Sequence, residues 1–290
     1  MTSKEHYFDE RGFATKGFLN GIKAFWCIIL FYVIFSLLSY LFSFLIKLLL
    51  NEESFLFQSY KYTVNLLYPV FSNFLAVVLS AYIIKILFYK DTLKFNLSIK
   101  GQGRNIVYGF LFVLAIYTVG YLLSLGLGWI EIVNFNWNTS ALLSSFIFFL
   151  LVSFSEEIMC RGVIQQLLMD IPIPKFLALV ITAGLFTLLH LANPGIGWLP
   201  LLNLFLAGLI LGLSLLFSRN LWFPISFHLF WNWIQGPLLG YKVSGLTSFV
   251  PLIHIHGNAP EWITGGDFGF EGSIVCSVLL LLAFVFYTFS

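Results

Sequence analysis

Residues 141–168 read ALLSSFIFFLLVSFSEEIMCRGVIQQLL, a largely apolar stretch with Glu156, Glu157 and Arg161 near its middle. About 20 apolar residues, rising 1.5 Å each, cross a hydrocarbon core of about 30 Å, so the stretch predicts a transmembrane helix. Each ionisable residue in mid-membrane costs about 2.5 to 3.5 kcal/mol on insertion scales. The three charges therefore predict a functional site within the bilayer.

The composition of the whole chain is that of an integral membrane protein. Of its 290 residues, 59% are apolar and 10% are charged, whereas about 25% are charged in a soluble domain. The mean hydropathy is +0.93. The apolar composition indicates that membrane lipid surrounds the protein. A net charge of +2 offers no basic surface to a phosphate backbone, which excludes a nucleic-acid partner. Three cysteines are interpreted as buried apolar residues: Cys27, Cys160 and Cys276.

Further apolar runs predict an all-α, polytopic bundle of about eight transmembrane helices. The runs cover residues 24–46, 63–88, 106–127, 141–168, 176–191, 199–217, 221–237 and 272–289. The fifth and the seventh are barely long enough to cross, and such segments must pack inside the bundle or line a cavity. One irregular region, residues 238–271, is rich in Gly and is expected to form a cap on the outer face.

The positions of Lys and Arg predict the orientation, because cytoplasmic loops carry the excess of positive charge. If the N-terminus lies inside, Lys4 and Arg11 precede the first helix in the cytoplasm, and most other cations also fall on that side. The exceptions in loops are Lys47, Lys61 and Lys242. We therefore expect a multi-pass membrane protein with a cytoplasmic N-terminal segment.

The two adjacent carboxylates of the fourth helix are predicted to differ in their ionic partners. Glu157 and Arg161 lie one turn apart on one helix face, with the acid on the favourable N-terminal side, so they are expected to form an ion pair. Glu156 lies about 100° further round the helix and is left without a local partner. An unpaired carboxylate in an apolar pocket is suited to act as a general base.

Two further helices carry imidazoles at a matching position. Glu156 and His190 both stand about 21 Å from the turn that joins their helices, counted at 1.5 Å per residue, so they can face each other. His228 and Asn232, one turn apart on the seventh helix, project together. In isolation, such a pair could equally form an interhelical hydrogen bond.

The set of a carboxylate, two imidazoles and an amide permits two chemistries. Glu156 with His190 can polarise a water molecule, while His228 and Asn232 donate hydrogen bonds to an oxyanion. Alternatively, Glu156, His190 and His228 can ligate zinc and leave one position open for water. The sequence alone leaves both possibilities open.

These residues resemble the motifs of a known family. The sequence contains Glu156-Glu157-x-x-x-Arg161, then Phe186-x-x-x-His190, then His228-x-x-x-Asn232. This order is similar to the signature of the CPBP family (CAAX protease and bacteriocin-processing, or ABI, domain) of intramembrane proteases. The resemblance covers residues 141–237, and the later Gly265-Gly-Asp-Phe-Gly-Phe-Glu-Gly also resembles bacterial members of the family.

The resemblance implies a division of the chain and a role for each motif residue. Residues 1–140 would hold the N-terminal segment and helices 1 to 3, and residues 141–290 the catalytic core. Water would be activated by Glu156 and His190, and the oxyanion bound by His228 and Asn232. The site would be organised by Glu157, Arg161 and Phe186. Members are described both as metalloproteases and as glutamate proteases, so zinc remains an open cofactor.

The resemblance also implies a hydrophobic or membrane-embedded peptide substrate and, for a chain of this type, the plasma membrane of a bacterial cell. A second hypothesis is a non-proteolytic protein that confers immunity to a bacteriocin or serves as a membrane scaffold. A third is a proton-coupled transporter with Glu156 as the carrier, since intramembrane acids also serve proton relays. No inverted repeat accompanies it, which makes transport the weakest of the three.

Several other features are interpreted as structural. His254 and His256 alternate on an extended segment and are read as residues of the cap rather than as a metal pair. Glu261, Asp267 and Glu271 are read as polar cap residues, of which Asp267 or Glu271 can close over the cavity. The Gly208-x-x-x-Gly212 spacing predicts close packing of the sixth helix against a neighbour.

Overall fold

The structure, a computed structural model, describes residues 16–50, 55–90 and 93–289. The first part of the predicted cytoplasmic segment, residues 1–15, lies outside the described residues. The fold is a bundle of apolar helices with a small antiparallel sheet. The longer helices are α1 (Lys16–Leu49), α2 (Lys61–Ile84), α3 (Gly103–Gly126), α4 (Thr139–Glu157), α5 (Lys175–Leu188), α6 (Trp198–Ser218), α7 (Trp222–Trp233) and α8 (Ile274–Phe289).

Five helical segments in the described part of the chain are long and apolar enough to cross a membrane. They are Gly17–Leu49, Lys61–Tyr89, Gly103–Gly126, Thr139–Met169 and Trp198–Ser218. The apolar helices Lys175–Leu188 and Ile274–Phe286 are shorter, and α7 has 12 residues. The predicted helical bundle is confirmed, whereas length alone supports a crossing for these five segments rather than for all eight predicted spans.

Helix α4 does not end at Glu157 but continues in a wider turn. A π-helical segment runs from Ile158 to Ile164 and is followed by a last helical turn, Gln165–Met169. Its hydrogen bonds span five residues, as in the bond from the Gln165 N–H to the Cys160 carbonyl. Such π segments occur frequently at functional sites. The two carboxylates predicted at mid-membrane therefore lie immediately before a change in helical geometry.

The small residues of α6 allow α5 to approach it closely. A Cβ atom on Gly208 would lie 3.0 Å from the Cα of Ala183, and one on Gly212 would lie 2.3 Å from the Leu179 side chain. The predicted packing role of the Gly208-x-x-x-Gly212 spacing is confirmed. Close approach also leaves the carbonyl oxygens of both glycines accessible to Arg161 and Gln165, which lie in the helical segments that continue α4.

Helix α7 is buried within the bundle, as expected for a segment too short to cross alone. It packs on one side against α3, where a Cβ on Gly109 would lie 2.7 Å from the carbonyl oxygen of Phe223. Rings also pair across this contact, with the centroids of Phe110 and Phe230 4.6 Å apart. The other side of α7 faces α4. His228 and Asn232 are consequently held inside the protein rather than in lipid.

The cap differs from the irregular segment expected for residues 238–271. Strand β2 (Ile253–Gly257) pairs antiparallel with β1 (Ile130–Phe135), which comes from the connection between α3 and α4. An all-α prediction therefore missed a two-stranded ribbon. The physical reason is that each strand needs a partner far away in the sequence, which local hydropathy does not show.

All three cysteines are buried and free. Cys27 and Cys160 belong to one apolar core and Cys276 to another. Their predicted role as buried apolar residues is confirmed.

Candidate active site

The four residues predicted to carry the chemistry line a single cavity. The cavity has a volume of about 310 Å³ and lies among α4, α5, α6, α7 and the cap. Its polar lining includes Glu156, His190, His228 and Asn232. Helices α4 and α7 and the turn that follows α5 thus bring together a carboxylate, two imidazoles and an amide, so His190 lies just beyond the helix on which it was predicted.

Glu157 is the buried centre of an ionic network beneath this cavity. Its Oε1 atom lies 2.9 Å from Nη1 of Arg161 and 2.9 Å from Nδ1 of His228. Both Glu157 and Arg161 have side chains that are 0% exposed. The second guanidinium nitrogen, Nη2, donates to the carbonyl of Gly208 at 3.1 Å. The ion pair predicted between neighbouring turns is therefore present, and it also fixes His228 and α6.

Glu156 is placed differently from its neighbour. Its side chain is 26% exposed and lines the cavity. Its Oε2 atom is buried and, among the described residues, accepts no hydrogen bond. The nearest cationic partner is His228, whose Nε2 lies 3.8 Å from Oε2, which is too far for a hydrogen bond. A carboxylate oxygen is thus left with unused acceptor capacity beside the cavity.

The hydrogen bonds of the two imidazoles define which ring nitrogen is bound to the protein and which is not. In His190, Nδ1 lies 2.9 Å from the carbonyl oxygen of Phe186. Because a carbonyl can only accept, Nδ1 carries a proton, and the neutral ring keeps its lone pair on Nε2. In His228 the same logic assigns the Nδ1 proton to the bond with Glu157. Each ring therefore has Nε2 free of its anchoring contact.

Phe186 lies among three of the motif side chains. Its ring centroid lies 4.7 Å from the Arg161 guanidinium carbon and 4.8 Å from the centroid of the His190 ring. The ring of His228 packs edge-on at 6.1 Å. A phenyl face against a guanidinium is a favourable contact when desolvated. The aromatic ring thus fills the space between the ionic network and both imidazoles.

The remaining walls of the cavity are mainly apolar. They are formed by side chains such as Phe148, Phe149, Val152, Met159, Leu204, Leu211 and Phe227. Ligand sites of this kind combine apolar walls with a few polar groups that fix orientation. The arrangement suits an apolar chain that presents a polar group to Glu156, His190, His228 and Asn232.

The structure adds polar residues that the sequence interpretation did not place at the site. Glu271 is buried and lines the cavity together with Trp231, Asn193 and Ser244. The interpretation of Glu271 as mere cap polarity is therefore corrected, whereas its suggested position over the cavity is borne out. One available signal was an acid flanked by Phe270 and a long apolar helix, where an unpaired charge is costly.

The other polar cap residues lie away from the cavity. Asp267 pairs with Lys242 at an exposed position, and Glu261 is exposed. His254 and His256 lie on β2, opposite Asn134 and Glu131 of β1. None of these side chains contributes to the lining of the cavity.

The donor set proposed for zinc is arranged too loosely for a metal site. Within residues 16–50, 55–90 and 93–289, no three His, Cys, Asp or Glu side chains are grouped closely enough to hold a metal ion. Glu156, His190 and His228 line the same cavity, and each ring keeps Nε2 outside its contact with a protein acceptor. Because the three side chains do not converge closely enough to share one ion, the residues as arranged do not fit the three-ligand geometry of a zinc site.

Comparison with known proteins agrees with the geometry. Residues 137–234 match the family model described as Rce1-like, type II CAAX prenyl endopeptidase Rce1-like. No curated protein and no solved structure is significantly similar to the chain. The matched segment begins just before α4, ends just after α7 and contains all seven motif residues. Residues 137–234 therefore form an Rce1-like domain, the domain of the type II CAAX prenyl endopeptidases.

Proposed function

We propose that the protein is an intramembrane endopeptidase that hydrolyses a peptide bond in a membrane-embedded or hydrophobic peptide. The observation that carries the proposal is the shared cavity, in which Glu156, His190, His228 and Asn232 all meet apolar walls. Water is the nucleophile, Glu156 is the general base and His190 helps to hold the water. His228 and Asn232 stabilise the oxyanion.

Glu156 is the better base of the two adjacent acids because its side chain lines the cavity and is 26% exposed, whereas the side chain of Glu157 is 0% exposed. The Oε2 atom of Glu156, buried and without a partner in the described part of the chain, can accept a proton from a water molecule in the cavity. Glu157 is committed to Arg161 and His228. The lone pair on Nε2 of His190 can accept a second hydrogen bond from the same water and orient its attack.

The attack forms a bond from the water oxygen to the carbonyl carbon, and the carbonyl π electrons move to oxygen. Asn232 donates an amide N–H to that oxyanion. His228 donates from Nε2 as an imidazolium, whose charge is balanced by the carboxylates on either side. Glu156 then passes its proton to the leaving nitrogen as the C–N bond breaks, giving a carboxylic acid and an amine.

The surroundings of the site support a substrate that lies in the membrane. Several helices of the described part are long and apolar enough to span a bilayer. The cavity walls are apolar, and exposed Leu189 and Leu246 contribute to its lining. An apolar peptide segment would be desolvated there without losing polar contacts. We place the protein in the plasma membrane of a bacterial cell with its N-terminus in the cytoplasm.

The test is the replacement Glu156→Gln, which keeps the shape of the side chain and removes the base. Purified protein is reconstituted in vesicles with a fluorogenic Leu- and Phe-rich peptide, with a metal chelator present throughout. Wild-type protein is expected to cleave the peptide, and Glu156→Gln is expected to lower kcat by about 10² to 10⁴-fold, the usual contribution of a general base.

The matched control is Glu131→Gln, which neutralises an exposed carboxylate of β1 outside the cavity and should leave kcat unchanged. Cleavage by Glu156→Gln at the wild-type rate would overturn the assignment of the base. If wild-type protein binds the peptide but never cleaves it, the non-proteolytic immunity or scaffold hypothesis gains support. A repeat of the assay with zinc in place of the chelator tests the metal-free mechanism, and cleavage seen only in zinc would contradict that mechanism.

A further inference from the structure

Glu271 is a second buried carboxylate at the cavity, and the proposed chemistry does not use it. The residue is 6% exposed. Its Oε1 accepts from the indole N–H of Trp231 at 2.7 Å. Its Oε2 accepts from the hydroxyl of Ser244 at 2.8 Å and from the backbone N–H of Ser244 at 3.1 Å. One carboxylate thus links α7 to the cap loop.

Neutral donors, rather than a cation, hold this charge. Among the described residues, Glu271 forms no salt bridge, and the nearby Lys242 pairs with Asp267 instead. Burying a carboxylate is costly unless several hydrogen bonds compensate for the lost water. The three donors from Trp231 and Ser244 supply that compensation. Because burying this carboxylate is costly, the link that it makes between α7 and the cap loop indicates a function for that link.

The backbone of Glu271 is fixed independently of its side chain. The Nδ2 atom of Asn203 on α6 donates to the carbonyl oxygens of Glu271 at 2.7 Å and of Ser273 at 2.9 Å. The hydroxyl of Ser277 donates to Oδ1 of Asn203 at 2.7 Å. Both Asn203 and Ser277 are buried. The carboxylate is therefore presented from a rigid support on α6 and α8.

The loop that Glu271 grips, residues 241–246, does not adopt its conformation freely. Ser244 has a φ of 47°, a left-handed conformation that is unfavourable for a residue with a Cβ. Asn193, just beyond α5, donates to the carbonyl of Ser244 at 3.0 Å. Because Val243, Ser244 and Leu246 all line the cavity, the strained turn is part of the wall that faces a bound molecule.

We propose that Glu271 is a positioning residue that locks the 241–246 loop onto α7 and so forms the substrate-binding wall of the cavity. This inference rests on the proposed function for the identity of the ligand, an apolar peptide. Trp231 lies next to Asn232 and one turn after His228 on α7. By holding Trp231 and Ser244 at once, Glu271 fixes the spacing between the oxyanion residues and the opposite wall.

The expected effect is on binding of the peptide rather than on the chemical step. The loop contacts parts of the peptide away from the scissile bond, and such contacts contribute equally to the ground state and the transition state. Glu271→Gln keeps the size of the side chain, but its amide NH₂ must face the donor of either Trp231 or Ser244. We expect KM to rise about tenfold, the loss of one hydrogen bond to a charged group, with kcat changed by less than about threefold.

Two measurements separate this inference from the proposed function. Hydrogen exchange of residues 241–246 is expected to be faster in Glu271→Gln than in wild type, because the lock is lost. The dissociation constant of a dansyl-labelled Leu- and Phe-rich peptide is compared between Glu156→Gln and the double variant Glu156→Gln/Glu271→Gln. Since neither cleaves efficiently, this comparison needs no catalytic activity. We expect about tenfold weaker binding by the double variant.

The matched control is Glu261→Gln, which neutralises an exposed carboxylate of the same cap and should change neither exchange nor binding. Ser244→Ala removes a single donor and serves if Glu271→Gln fails to fold; it should shift both readouts in the same direction by a smaller factor. Unchanged loop exchange together with unchanged peptide binding would overturn the inference. Weaker binding in a protein that never cleaves peptide would uphold the lock and reject only the protease.

Discussion

Glu156 and Glu157 are neighbours in sequence and are chemically identical, yet the structure gives them opposite surroundings. A step of about 100° around the helix takes Glu157 into the protein interior, at 0% exposed, and Glu156 to the cavity, at 26% exposed. Glu157 neutralises Arg161 and orients His228. The difference between a structural acid and a candidate base is therefore made by the burial and partners of each side chain.

The buried ion pair provides a prediction at this scale. Arg161→Met removes the guanidinium and leaves the buried Glu157 with only its contact to His228, so the free energy of unfolding should fall by about 3 to 5 kcal/mol. The double variant Glu157→Gln/Arg161→Met should recover part of this loss, because no unpaired charge remains. Thermal unfolding in detergent measures both variants.

The exposed pair of Lys242 and Asp267 provides the control for that prediction. Their side chains are 39% and 72% exposed, and exposed pairs contribute less than about 1 kcal/mol. Lys242→Met should therefore change the unfolding temperature far less than Arg161→Met. Equal losses in the two variants would mean that burial does not govern the contribution of the Arg161 pair.

At the scale of elements, the site depends on how closely α4, α5 and α6 pack. Gly208 and Gly212 remove side chains from one face of α6, so their carbonyl oxygens can accept hydrogen bonds from Arg161 and Gln165 of the α4 extension. The same two positions admit α5, which is followed by His190. One small-residue face therefore sets both the helix spacing and the polar contacts of the ionic network.

A larger residue on the small-residue face of α6 should disturb both the spacing of the helices and the polar contacts of the ionic network. A Cβ on Gly208 would already lie 3.0 Å from the Ala183 Cα and 3.1 Å from its Cβ. Gly208→Val should therefore push α5 away from α6 and cost about 1 to 3 kcal/mol, as overpacking does. Peptide cleavage should fall as well, because Arg161 loses the carbonyl that anchors it. Thermal unfolding and the cleavage assay measure the two effects.

Gly184 on α5 serves as the matched control, since a Cβ there would meet nothing within 4 Å. Gly184→Val should fold with near-normal stability and cleave peptide normally. If Gly208→Val behaves like this control, the close approach of α5 and α6 does not determine the geometry of the site.

At the scale of the whole molecule, the distribution of Lys and Arg predicts the orientation in the membrane. The positive-inside rule places the loop around Lys100 in the cytoplasm and the β1–β2 ribbon outside. Single cysteines at the exposed positions Lys100 and Glu131 should react with a membrane-impermeant thiol reagent from opposite sides of the membrane. The native cysteines are buried and should give little background. Labelling of Glu131→Cys from the cytoplasmic side would reverse the proposed topology.

Hydropathy alone determined the helical bundle and the approximate ends of each long helix. The reason is that transfer of a chain segment into hydrocarbon depends on its own composition, which is a local property. The free-energy cost of burying polar groups also made the site predictable. In an apolar chain, buried charges such as Glu156 and polar residues such as His228 indicate a functional site, because each is costly to bury. Seven motif residues were therefore named from the sequence, and the structure brings the four proposed to carry the chemistry to one cavity.

Only the tertiary structure decided which polar groups meet. The contact between His228 and Glu157 joins residues 71 positions apart in sequence, and Glu271 reaches Trp231 across 40 positions. The β1–β2 ribbon likewise joins a segment before α4 to a segment after α7. Such contacts depend on how helices and loops pack in three dimensions, and no local pattern of hydropathy or charge encodes them. Local hydropathy thus determined which segments form apolar helices, and tertiary packing determined which of the few charged side chains meet.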